Sequence, residues 1–252
     1  MKNIRNYILE KLNVKDIKSK YKYFPKTKYE LRNILKERLK KDQDANLNDI
    51  DVSEITDMSY LFSKLDPNNI DISEWNVSNV TDMDYMFAIC ENLDCDLSKW
   101  NVSNVKDMTA MFYGCKEFNS DLSKWDVGNV TDMFRIFCGC KKFNSDLSKW
   151  NVSNVTDMRD MFAGCKEFNS DLSKWDVSNV IAMESMFKEC HAFNSDLSKW
   201  NVSNVTNISA MFGYCSNFNS DLSKWDVSNV KDMFAIFYGC TSLKNKPSWY
   251  KE

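Results

Sequence analysis

Seven of the nine cysteines stand 25 residues apart: Cys90, Cys115, Cys140, Cys165, Cys190, Cys215 and Cys240. Cysteine thiolates hold metals when they come as close pairs backed by a second pair or by histidine. Here the only close pair is Cys138-Gly139-Cys140, one residue tighter than Cys-x-x-Cys, and His191 is the only histidine. Disulfides would have to pair neighbours in a column that is odd in number, and stacked identical positions seldom meet disulfide geometry. The column therefore reads as buried thiols acting as small hydrophobes, with no metal and no cofactor expected. Carboxylates also recur in columns, as at Asp121, Asp146, Asp171 and Asp196. A catalytic centre should break a repeat, and nothing catalytic breaks this one. No G-x-S-x-G elbow, P-loop, H-E-x-x-H or Gly-rich phosphate loop is present. The chain reads as a non-enzyme, with no catalytic residue assigned.

These columns must be positioned by a repeating unit. Trp75, Trp100, Trp125, Trp150, Trp175, Trp200 and Trp225 are 25 residues apart without insertion or deletion. A fixed period of this length marks a stack of supersecondary units. In residues 150–174, Met158, Met161, Phe162 and Cys165 stand at i, i+3, i+4 and i+7, which predicts a short helix with Thr156 as N-cap. Gly164 would let the chain leave that helix. Trp150 and Val152 alternate around a polar residue, which predicts a short strand. The expected fold is an α/β repeat solenoid of about eight 25-residue coils, each a short parallel strand plus a short helix, over 49–243. At about 4.8 Å per parallel strand the array would run on the order of 40 Å.

One coil cannot cover its own apolar face, so caps are expected at both ends. Residues 1–48 lack the repeat and read as a helical N-terminal cap. Thr27-Lys-Tyr-Glu30 is a capping box that leads into Leu31, Ile34, Leu35 and Leu39 on one face, and Ile4, Ile8 and Leu12 suggest an earlier short helix. Residues 244–252 read as a C-terminal cap in which Trp249 or Tyr250 fills the last tryptophan slot. Residues 1–48 hold 14 Lys+Arg and 6 Asp+Glu, whereas the rest holds 19 and 30. The basic residues are dispersed and no nucleic-acid motif accompanies them, so a nucleic-acid partner is not expected.

Two faces could bind. On the helix side, exposed slots differ from coil to coil and hold Tyr85, Tyr113, Phe134, Arg135, Tyr214, Phe234 and Tyr238, the residue types that protein contacts favour. On the strand side, Lys99, Lys124, Lys149, Lys174, Lys199 and Lys224 form a column that could read a repetitive ligand such as a glycan. The leading expectation is a protein–protein interaction module whose partner is a protein. The chain itself would be a monomer or weakly self-associating.

The block FNSDLSKWDVSNVTDMRDMFAGCKE resembles the 25-residue repeat of mycoplasma-type surface lipoproteins, grouped with the BspA-like leucine-rich repeat surface proteins. Leu172-x-x-Trp175-x-Val177 is similar to the L-x-x-L-x-L core of such repeats. Met161-Phe162-Ala-Gly-Cys165-x-x-Phe168 is similar to their A-F-x-x-C-x-x-L segment. The resemblance covers about Asn48 to Leu243. It implies a leucine-rich-repeat-like stack and, for some members, cell-surface adhesion to host protein or glycan. Met1–Tyr23 carries no apolar signal core, lipobox cysteine or membrane-spanning run, which points instead to the cytoplasm with no membrane insertion.

Overall fold

The computed structural model describes residues 20–251. Among them α1 (Lys28–Leu39) is the one helix. The rest is a stack of 25-residue coils built from tight turns. Successive coils meet at single parallel bridges, running Asp57, Asp82, Asp107, Asp132, Asp157, Ala182, Asn207 and Asp232. The expected α/β solenoid, with a leucine-rich-repeat-like strand plus helix per coil, is therefore incorrect: the coils contain neither element.

Backbone hydrogen bonding explains why no helix forms. In the run from Met158 to Cys165, the N–H groups alternate in their use. Those of Met158, Asp160, Phe162 and Gly164 donate to the carbonyls of Ala182, Glu184, Met186 and Lys188 in the next coil, at 2.7–3.0 Å. Those of Met161, Ala163 and Cys165 donate to the carbonyl three residues back. A helix capped at Thr156 would need the N–H groups from Asp160 onward for its own i−4 ladder. The run also turns left-handed twice per coil, at Asp160 (φ 53) and Gly164 (φ 78). The apolar stripe survives without the helix: Met158, Met161, Phe162 and Cys165 are all fully buried. Trp150 and Val152 are buried as predicted for one face of a strand, but two-residue turns at Ser148-Lys149 and Ser153-Asn154 enclose them. No extended segment is long enough to pair.

Both left-handed positions recur in all eight coils. The first holds Tyr60, Tyr85, Ala110, Arg135, Asp160, Ser185, Ala210 and Ala235. The second holds Lys64, Ile89, Gly114, Gly139, Gly164, Glu189, Tyr214 and Gly239. Left-handed backbone costs a residue with a Cβ about 1–2 kcal/mol, and a β-branched one is least suited to it. Ile89 (φ 62) carries this strain while its side chain is half exposed. Ile89→Gly is expected to stabilise the fold by about 1 kcal/mol, net of the greater freedom glycine has when unfolded. A urea midpoint equal to or below that of the wild type would contradict the assignment.

Side chains complete the stack, and four recurrent columns close bonds between coils. The Trp150 indole N–H donates to Leu122 O (3.0 Å), and the Cys165 thiol to Phe137 O (3.0 Å). Asn154 Nδ2 donates to Gly128 O (2.7 Å), and Ser170 Oγ accepts from the Leu147 N–H (2.8 Å). Aromatic columns fill the interior: Phe162 stacks on Phe187 with centroids 5.7 Å apart, and Trp125 on Trp150 at 6.5 Å. Trp249 takes the last tryptophan slot, stacked on Trp225 at 6.4 Å and donating to Leu222 O.

At the other end, α1 lies against the first coil through Leu31, Leu35 and Leu39, which are buried in the common core. Thr27 caps it by accepting from the Glu30 N–H, and the Glu30 carboxylate accepts from the Lys26 N–H. The Arg32 guanidinium donates to the carbonyls of Tyr60, Leu61 and Ser63, which close the first coil. The suggested helix around Ile4, Ile8 and Leu12 falls outside the described residues.

Candidate interaction face

The cysteine column donates its thiols inward. Burial pushes Cys90 up to about 12 and Cys138 up to about 11, so thiolate chemistry is suppressed near neutral pH. Among the described residues no group of three or more His, Cys, Asp or Glu could hold a metal ion. His191 is exposed.

All seven aromatic and arginine candidates lie on the six-residue turn that carries the left-handed positions. Six of them fall into three groups, and the seventh, Tyr113, stands apart. Tyr85 stacks on Tyr60, with centroids 4.9 Å apart and planes 3° from parallel. Phe134 is flanked by two guanidinium groups, Arg135 at 4.7 Å and Arg159 at 4.8 Å. Arg135 in turn donates to Asp160 (3.0 Å). Tyr214 meets Tyr238 edge-on at 5.2 Å, beside Phe234, which is 81% exposed.

Between these groups lies a feature that the sequence reading missed. Gly114, Gly139 and Gly164 occupy the second left-handed position in three consecutive coils. They floor a trough of about 540 Å³. Ile89 and Glu189 stand where that glycine column ends. Tyr113, Cys138, Asp160 and Lys188 line the trough, with Lys116 and Lys141 at its edge. The glycine backbones sit close together: a Cβ added at Gly139 would lie 3.4 Å from Gly114 Cα. The available signal was the glycine column itself, which a helix-exit reading absorbed. Tyr113 is the one sequence-level candidate that the structure brings to this trough.

A carboxylate column runs beside this face. Asp84 is pushed up to about 6 by burial, with the charges of Asp82 and Asp107 adding to the shift. Asp132 is raised for the same reason, burial first and then Asp157 and Asp107. A carboxylate whose folded pKa exceeds its unfolded value near 3.8 stabilises the fold fully below that unfolded value. The contribution is lost as pH rises through 6. Asp84→Asn is therefore expected to be more stable than wild type at pH 7, on the order of 1 kcal/mol once solvent screening is allowed for. The advantage should vanish near pH 4. Thermal melts of both proteins at the two pH values test this, and a difference independent of pH would contradict it.

The lysine column lies on the far edge of the coil. Lys99 pairs with Glu74 at 2.7 Å. Lys124, Lys149, Lys174, Lys199 and Lys224 are exposed and make no ion pair among the described residues. Three residues before each stands an aspartate, from Asp121 to Asp221, held below the usual carboxylate range chiefly by hydrogen bonds from the serine two residues on. The face thus alternates cationic and anionic rows. It is not the strand side of an α/β coil, as the sequence predicts, because the coil has neither strand nor helix and both faces are turns.

The profile of a family described as "Mycoplasma protein of unknown function, DUF285" matches residues 29–150 and again 131–250. No curated protein and no solved structure matches the chain. Among the described residues, no helix is long and apolar enough to cross a membrane.

Proposed function

We propose, for a chain that belongs to the mycoplasma repeat family of unknown function DUF285, a non-catalytic role in which the turn face docks a protein partner, with the glycine-floored trough as its centre. One contrast carries this reading. The recurrent indole, thiol, asparagine and buried serine columns are engaged in bonds between coils, whereas the turn face changes from coil to coil and keeps aromatics such as Phe234 and Tyr238 at the surface. Interaction surfaces draw on aromatics and arginine, and on concave ground where a partner side chain can be enclosed. The trough offers such ground, with Ile89 and Tyr113 as apolar wall and a rim of mixed charge, Lys116, Lys141 and Lys188 alongside Glu91, Asp160 and Glu189.

Affinity capture from native lysate with two baits tests the reading. One is the wild type and the other is Gly139→Asn with Tyr113→Ser. Asparagine tolerates left-handed backbone and would fill the trough. Circular dichroism must first show that the double variant folds. A protein retained by wild type and lost by the variant is the expected result.

Equal capture by both baits would move the site to the lysine column. That second reading is favoured by five cations without ion-pair partners and by the BspA-like resemblance. On it, the chain would display a cationic row to a repetitive anionic glycan or host protein at the cell surface. Its binding should weaken steeply with salt. Protease added to intact cells would digest a surface protein and spare a cytoplasmic one.

A further inference from the structure

Gly114, Gly139 and Gly164 floor the trough over two coil-to-coil steps, about 10 Å at about 4.8 Å per step. An extended peptide advances about 3.3 Å per residue, so three residues match that run. A Cβ added at Gly139 would lie 3.4 Å from Gly114 Cα, and one at Gly164 would lie 3.5 Å from Gly139 Cα. The floor is thus bare backbone, which another main chain can approach closely. Among the described residues no backbone N–H donates to Gly114 O, Gly139 O or Gly164 O, so these acceptors have no backbone partner within the stack. A main chain brings N–H donors, whereas an inorganic anion brings none.

The charges around the trough are not all paired. Lys116 pairs with Glu91 at 2.5 Å, and Arg135, from outside the lining, pairs with Asp160 at 3.0 Å. Lys141 and Lys188 make no ion pair among the described residues. Glu189, the remaining acid, stands beyond the last glycine of the floor. Unpaired cations beside a slender apolar floor complement a carboxylate carried by the occupant. We infer that the trough receives an extended peptide segment of a protein partner, with small side chains over the glycines and an acidic side chain at Lys141 and Lys188. This rests on the turn face being the docking face and specifies what docks there. Residues 1–19 of the chain itself fit poorly, since they hold five Lys+Arg against two Asp+Glu.

The test pans a phage library of random heptapeptides against the full chain in three forms: wild type, Gly139→Asn, and Lys141→Glu combined with Lys188→Glu. Circular dichroism first confirms that the variants fold. Lys141 is exposed and Lys188 half-buried, so the charge reversal leaves the core untouched and keeps the test open if Gly139→Asn does not fold. Wild type is expected to enrich sequences with Asp or Glu beside Gly, Ala or Ser. The charge-reversed variant is expected to enrich Lys or Arg in place of the acid. A fluorescein-labelled peptide of the wild-type consensus should bind each variant at least about ten-fold more weakly than wild type. Neutral or basic sequences that bind wild type and are lost with Gly139→Asn would overturn the acidic occupant and leave the trough as a protein-docking site. Sequences that bind Gly139→Asn equally well would overturn both readings. Absence of any enrichment would overturn the inference and leave the docking face to the lysate capture. Self-association of wild type in sedimentation, abolished by Gly139→Asn, would overturn it by making a second copy the occupant.

Discussion

Trp150→Ala is expected to destabilise the fold by about 3–5 kcal/mol, the range for removing a large buried aromatic side chain. Trp150 is 4% exposed in the middle of the stack. It lies parallel to Trp125 at 6.5 Å and tilted against Phe137 at 6.1 Å. Its loss leaves a cavity between coils and deprives Leu122 O of the indole donor, a further cost for a buried acceptor. In a stack where each unit contacts only its neighbours, a defect at the centre weakens the interfaces on both sides. Trp249→Ala should cost clearly less, because Trp249 is only partly buried and covers one coil from one side. Urea unfolding of both variants gives the comparison. Equal losses, or a loss below about 1 kcal/mol for Trp150→Ala, would contradict the column as the main source of stability.

The period was the most legible part of this molecule. Trp75 to Trp225 and Cys90 to Cys240 are evenly spaced, and each residue donates to a carbonyl 28 residues earlier. The Thr27 cap and the buried face of α1 were legible from local chemistry. The element type within the coil was not. Met158, Met161, Phe162 and Cys165 point inward either from a helix or from a run that alternates turns with bonds to the next coil, and spacing alone cannot separate the two. Glycine at 114, 139, 164 and 239 was the clue to left-handed backbone, but Ile89, Glu189 and Tyr214 in the same column carried no such mark. The aromatic members of the candidate face could be named from the sequence. The trough could not, since it is made by side chains that are missing from three adjacent coils. The raised carboxyl of Asp84 comes first from burial between coils, then from Asp82 and from Asp107 of the next coil, and likewise becomes visible only in the stack.

The second large effect concerns register within the bonded run. Deleting Ala163 alone would reverse the use of every following N–H in its coil. Cys165 would move to the left-handed outward position held by Gly164, and Lys166 would enter the fully buried slot of Cys165. An unpaired lysine in an apolar slot is among the most costly single changes a core can suffer. The last coil shows where slack does exist: between Cys240 and Trp249 it is one residue short, yet Trp249 still stacks. Removing residues 151–175 keeps every inter-coil distance in sequence intact and takes away one coil.

Urea unfolding of these two deletions, followed by circular dichroism, tests most directly whether the 25-residue turn-built coil is the unit of this fold. The expected result is a cooperative transition for the chain lacking residues 151–175, at a midpoint modestly below that of the wild type. The chain lacking only Ala163 should lose about 4 kcal/mol or more, or fail to fold. If the single deletion were tolerated as well as the loss of the whole coil, the alternating hydrogen-bond scheme would be wrong.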